Sequence, residues 1–177
     1  MIADERDLRE EQALDIAKKM LVAARTAPKG KGFDIIECVV VSGDDKEALA
    51  VEMEVYSEDT GFKFPLRDAD NVRASQCVVL VGTRSKVQGL NCGHCGFPTC
   101  GEKPEAVPCE VNSVDVGIAL GSAAALAADF RVDTRIMFSA GMAAQRLGML
   151  GEGIGQVYAI PISIASKSPF FDRVSKK

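Results

Sequence analysis

Ser113-Val114-Asp115-Val116-Gly117-Ile118-Ala119-Leu120-Gly121-Ser122-Ala123-Ala124-Ala125-Leu126-Ala127-Ala128-Asp129-Phe130 is almost wholly apolar, broken only by two aspartates and two serines. Its alanines and leucines favour a helix, while each glycine costs a helix roughly 1 kcal/mol against alanine. Gly117 and Gly121 therefore point to places where another backbone comes close. A helix that is apolar on every side belongs in a core, and this one predicts the central helix of a layered domain. It falls short of the roughly 20 apolar residues of a membrane span, and its flanks are wrong for one.

Downstream, residues 139–150 predict a second helix, followed by a turn at Gly151, Gly153 and Gly155. That glycine run follows a helix, whereas a dinucleotide fingerprint follows a strand and opens a helix. Residues 156–164 predict a last strand, and Pro161 within it predicts an edge or a strand end. The tail, residues 165–177, is basic and carries Pro169-Phe170-Phe171.

Upstream, the apolar run at residues 76–82 predicts a buried strand. Residues 57–73 are polar and irregular, and residues 46–56 have helical spacing after a turn at Gly43-Asp44-Asp45. The β-branched run at 34–41 predicts a strand. Residues 5–24 predict an amphipathic helix, with Ala13, Ile16, Ala17, Met20, Leu21 and Ala24 at spacings of three and four. Pro28, Gly30 and Gly32 end it. The order implies one α+β domain over residues 1–177, with a loop inserted at 83–111.

A formal net charge of −4 argues against a nucleic-acid or anionic-membrane partner. Trp is absent and aromatics are few, which removes the stacking platforms used for single strands. Residues 1–7 are charged and carry no apolar signal core, so the expectation is a cytoplasmic protein. In a reducing compartment, six cysteines read as metal-binding or redox-active and not as disulfides.

Four of the six fall in the inserted loop: Cys92, Cys95, Cys100 and Cys109. Four thiolates suit a [4Fe–4S] cube with one ligand per iron. Gly93, Gly96 and Gly101 permit a tight backbone that turns amide N–H groups towards the sulfurs, and Pro98 and Pro108 stiffen the approaches to Cys100 and Cys109. Zinc remains the competitor, although structural zinc usually pairs two C-x2–4-C knuckles or ends in histidines. Here there is one knuckle, and the single histidine, His94, lies inside it. Cys38 and Cys77 sit in apolar strand runs and read as inert core thiols.

Cys92-Gly93-His94-Cys95-Gly96-Phe97-Pro98-Thr99-Cys100 resembles the Cys-Gly-x-Cys-Gly-x-x-x-Cys signature of a small [4Fe–4S] domain. That domain occurs in corrinoid subunits of CO dehydrogenase/acetyl-CoA synthase and in ion-translocating ferredoxin oxidoreductases. Cys109 comes sooner than the fourth cysteine usually stands there, which leaves Asp115 or a partner chain as other candidates for the fourth ligand. The chain as a whole resembles the DUF2148 family of ferredoxin-domain proteins. The residues that carry this are 24–29 (Ala-Arg-Thr-Ala-Pro-Lys), 67–72 (Arg-Asp-Ala-Asp-Asn-Val), the cysteine loop, 115–119 and 167–173 (Lys-Ser-Pro-Phe-Phe-Asp-Arg). That resemblance implies a cluster and names no reaction.

A further likeness, to the flavin-dependent nitroreductase fold, rests on residues 21–41, 115–129 and 157–164. It implies a nitroreductase-like mixed sheet with packed helices, a homodimer closed across a two-fold axis, and FMN against the loop at 26–32. Arg25, Thr26, Lys29, Lys167 and Arg173, with Lys31, are the candidate cofactor-binding residues. The arginine-rich segment that grips the FMN phosphate in that fold has no counterpart before residue 13, so FMN is expected to bind weakly or not at all. Solvated surface charge is the plainer reading of these cations, and a salt-bridged capping loop the plainer reading of Arg67, Asp68, Asp70, Asn71 and Arg73. Three functions stand open: a one-electron carrier or redox subunit with a partner protein, an FMN-linked oxidoreductase with the cluster as relay, and a zinc-stabilised structural protein. No catalytic residue is assigned.

Overall fold

The computed structural model describes residues 2–172, so Arg173 lies outside the described residues. Helix α1 (Glu5–Thr26) is capped by Asp4, whose carboxylate accepts the Arg6 N–H at 2.9 Å. A short 3-10 turn at Gly30–Gly32 leads to β1 (Ile36–Val41), then α2 (Gly43–Thr60), α3 (Phe64–Ala74) and β2 (Cys77–Arg84). After the cysteine loop come α4 (Glu110–Asp129), β3 (Asp133–Thr134), α5 (Phe138–Arg146) and β4 (Ile154–Ser163).

The four strands form one antiparallel sheet in the order β1-β2-β4-β3. Side chains alternate across a strand, and in β2 both faces are buried. Cys77, Val79 and Val81 join a core with α1 and α4, while Val78 and Leu80 join one with α2, α3 and α5. The result is a three-layer α+β sandwich with the sheet in the middle. Ala13, Ala17 and Ala24 of α1 and Ala119, Ala123 and Ala127 of α4 are all fully buried, and their size lets the two helices pack closely.

Three expectations change. Residues 64–74 form a helix, not an irregular capping loop: Gly61, at φ +73°, ends α2, and Pro65 opens the first turn of α3. Two of its buried positions are the polar Asp68 and Asn71, which hid the apolar period. The Asp68 carboxylate is held by the Ser139 hydroxyl at 2.7 Å and by Arg67 at 2.8 Å, and this is why it tolerates burial. Pro161 is not on an edge strand, because β4 pairs with β2 on one side and β3 on the other, but it does stand two residues before the strand ends at Ser163. Ala159 exchanges both backbone bonds with Met137, and Ser163 pairs with Asp133. Pro161 therefore faces residue 135, where the ladder is already interrupted, so its missing N–H breaks no rung.

By length and composition α4 does reach what a membrane span requires, contrary to the sequence expectation. Its Asn112, Asp115, Val116, Ala119, Leu120, Ala123 and Ala127 are nonetheless buried within the layered core.

Candidate functional site

The cysteine loop leaves the sheet at the end of β2 and returns at Cys109, the N-cap of α4. Both stems are joined by Asn112, one turn into α4 and 2 % exposed. Its side-chain NH2 donates to the carbonyls of Arg84 at 3.0 Å and Lys86 at 2.8 Å. Its carbonyl accepts from the Gln88 amide at 3.1 Å. Beside it the Ser113 hydroxyl donates to the Gln156 side chain on β4 at 2.9 Å. An otherwise apolar helix thus spends its few polar groups fixing the base of the loop.

The loop turns where the sequence supplies glycine. Gly93 and Gly96 have φ of +73° and +88°, and the Gly96 N–H closes a turn on the Gly93 carbonyl at 2.9 Å. Cys92 is exposed, Cys95 and Cys100 are half-buried, Cys109 is buried, and all four thiols are free. The Cys100 sulfur accepts the Asn91 backbone N–H at 3.4 Å. Four unpaired thiols on one glycine-punctuated loop, one of them already N–H-bonded, form a donor set that fits an iron–sulfur cluster. Tetrahedral zinc at a Zn–S distance of about 2.3 Å needs its sulfurs within about 4 Å of one another. Among the described residues no three His, Cys, Asp or Glu side chains are grouped closely enough to hold a metal ion. A cube puts each thiolate on a different iron.

Cys38 and Cys77 stand apart in the sheet. Burial pushes the Cys77 thiol up to about 12 and also raises Cys38. Cys77 is a fully buried core thiol, as its sequence context implied, whereas Cys38 is only half-buried against that core. Asp115 is spoken for as well: its carboxylate oxygens accept the Gly30 N–H at 2.9 and 3.0 Å, pinning the 28–32 loop to α4.

The candidate cofactor cations are divided. Arg25 bonds the Asp34 carboxylate at 2.7 Å and the Ile36 carbonyl at 2.6 Å, and the Asp34 hydrogen bond raises its pKa. The Thr26 hydroxyl donates to the Val22 carbonyl at 3.0 Å. The Lys29 ammonium reaches the carbonyls of Arg25 at 2.5 Å and Ala27 at 2.8 Å, capping the C-terminus of α1. Lys31 bonds the Gln88 carbonyl at 3.0 Å and lies over the Phe33 ring. Three of these cations are thus used by the fold itself, and the 28–32 loop rests on the stem of the cysteine loop. Lys167 is not brought to them. It follows β4 at the Cys77 end of β2, whereas Ile36 pairs with Thr83 at the other end. Six residue steps of strand separate the two ends, roughly 20 Å. Arg6 and Arg9 are exposed or half-exposed on the first turns of α1, Arg9 paired to Glu5 at 2.7 Å. The cavity beside Cys109, lined by Thr83, Ser85, Asn112 and Gln156 among others, has a volume of about 60 Å³. Sites for drug-sized ligands begin near about 300 Å³.

Sequence reasoning missed Asn91, Asn112, Gln88 and the anchoring role of Asp115. The one legible signal was that Asn112 and Asp115 are polar residues at the head of a helix otherwise built to be buried.

Comparison with known proteins supplies a family and a fold. The family described as "Uncharacterized protein containing a ferredoxin domain" (DUF2148) matches residues 105–173, which include Cys109 and α4 but not Cys92, Cys95 or Cys100. A relative from Archaeoglobus fulgidus, described as an uncharacterized protein, is 41% identical over 100% of both chains. Among solved structures, a nitroreductase family protein from Clostridium novyi NT superposes with a TM-score of 0.59 at 15% identity, over 93% of this chain and 76% of that one. An FMN-dependent nitroreductase from Clostridium difficile R20291 does so with 0.55 at 14% identity, over 86% and 76%. At such identities the likeness concerns architecture: the antiparallel sheet with packed helices is a nitroreductase-type fold. By sequence, the chain belongs to the DUF2148 family of ferredoxin-domain proteins.

Proposed function

We propose that this is an iron–sulfur protein whose Cys92, Cys95, Cys100 and Cys109 hold a [4Fe–4S] cluster, and that it serves as a one-electron carrier or redox subunit for a partner protein. The observation that carries the reading is the set of four free thiols on one loop whose two stems are tied together through Asn112. Bound there, the cluster would supply a reversible one-electron couple. The chain's own part is to fix the base of the loop, to offer thiolates, and to set N–H groups beside them. Replacing Cys92, Cys95, Cys100 or Cys109 by Ser should each abolish full iron incorporation, while Cys38→Ser and Cys77→Ser should leave iron content unchanged. Full iron in Cys109→Ser would move the fourth ligand to a partner chain, since the Asp115 carboxylate is engaged with Gly30.

The second reading, an FMN-linked oxidoreductase, draws on the FMN named for a structural relative and on the contact of Lys31 with the cysteine-loop stem. Against it stand the prior commitments of Arg25 and Lys29. FMN fluorescence titrated with cluster-loaded protein should show weak quenching or none. Submicromolar binding lost in Lys29→Ala would favour the enzyme.

We also propose a homodimer closed through the outer face of α4, in a cytoplasmic setting. Val114 and Ile118 are 51% and 41% exposed on that face, and a methyl group added at Gly117 or Gly121 would touch nothing in the same chain. A second copy can cover such a stripe with close backbone contact.

A further inference from the structure

Asn91 precedes the first cysteine and carries a backbone φ of +48°, a left-handed conformation uncommon for any residue but glycine, asparagine and aspartate. It makes two bonds to one residue. Its own N–H donates to the Cys100 sulfur at 3.4 Å, and its side-chain carbonyl accepts the Cys100 N–H at 2.8 Å. The two residues lie nine positions apart, at opposite ends of the Cys92–Cys100 run, so the pair closes that run into a ring. The left-handed turn is what aims the Asn91 N–H and side chain at the same residue.

We infer that Asn91 is a positioning residue: it brackets Cys100 and holds an N–H dipole on its sulfur. The inference rests on the proposal that Cys100 is a cluster ligand. An N–H aimed at a ligating sulfur stabilises negative charge there, and so favours the reduced state and raises the potential. The side-chain half of the bracket keeps that N–H in reach. Neither effect requires Asn91 to touch iron.

Two substitutions separate the parts. Asn91→Gly keeps the positive φ and the backbone donor but removes the acceptor for the Cys100 N–H. Asn91→Asp keeps both the conformation and the acceptor. Anaerobically reconstituted wild type and variants are compared by cluster loss to an iron chelator, followed by visible absorbance, and by redox titration. Asn91→Gly should lose its cluster about tenfold or more faster, the usual scale for a group one shell out from a metal. Its midpoint potential should fall, because the N–H is less firmly held on the sulfur. Asn91→Asp should return to the wild-type rate of loss. Wild-type kinetics and potential in Asn91→Gly would overturn the inference while leaving cluster binding intact. A wild-type chain that takes up no cluster would overturn the underlying reading and this inference with it.

Discussion

At the scale of single residues, the loop cysteines could be put forward from the sequence because thiolate chemistry depends on identity and local spacing. Their supports were not, because their partners are remote in sequence. Asp115 binds a backbone N–H 85 positions away, and Asn112 reaches carbonyls 26 and 28 positions back. Lys29, a candidate cofactor cation with surface charge as the plainer reading, caps the end of α1 instead of lying free on the surface, since sequence cannot tell which carbonyls a flexible ammonium will find. The reading of Cys77 as an inert core thiol can be tested through its ionisation. Burial lifts its pKa from 9.0 to about 12, so the folded state holds a proton that the unfolded state gives up at lower pH. The stability this represents is full below about pH 9 and is lost as the pH rises towards about 12. Cys77→Ala should soften the alkaline fall in a urea-unfolding series across that range. In cluster-free protein a thiol reagent at neutral pH should label exposed Cys92 quickly and leave Cys77 untouched until the chain unfolds. Equal labelling of the two would contradict the core placement.

At the scale of elements, the long helices and the buried strand followed from apolar period and β-branched runs. Helix α3 did not, because Asp68 and Asn71 occupy inward positions that a period analysis scores as surface. The polar bond to Ser139 on α5, a contact across 71 positions, is what makes such a position habitable. The seat of α5 on the sheet offers a sharper test. A methyl group at Gly141 would lie 2.0 Å from the Val157 carbonyl oxygen, and that obstacle is backbone, not a side chain that can swing aside. Gly141→Ala should therefore destabilise by about 1–3 kcal/mol or more, despite alanine's better helix propensity. A urea midpoint unchanged from wild type would mean that α5 does not lie on β4 as described.

At the scale of the whole molecule, the α+β layering was legible from the order of the elements. The distribution of functional groups over the two ends of the sheet was not. Only the register of β1, β2 and β4 places the cysteine loop beside the 28–32 loop and sends Lys167 to the far end. The exposed stripe on α4 adds an assembly prediction: light scattering at micromolar concentration should give twice the chain mass, and Ile118→Glu should give the single mass. A monomeric wild type would leave that apolar face without its proposed partner. The central claim, that four thiolates of one loop hold an iron–sulfur cluster, is met most directly by anaerobic purification followed by a visible spectrum and analysis for iron, sulfide, zinc and flavin. The account predicts a brown protein with broad visible absorbance and about four irons and four sulfides per chain, as a cube requires. A colourless protein carrying stoichiometric zinc would contradict it.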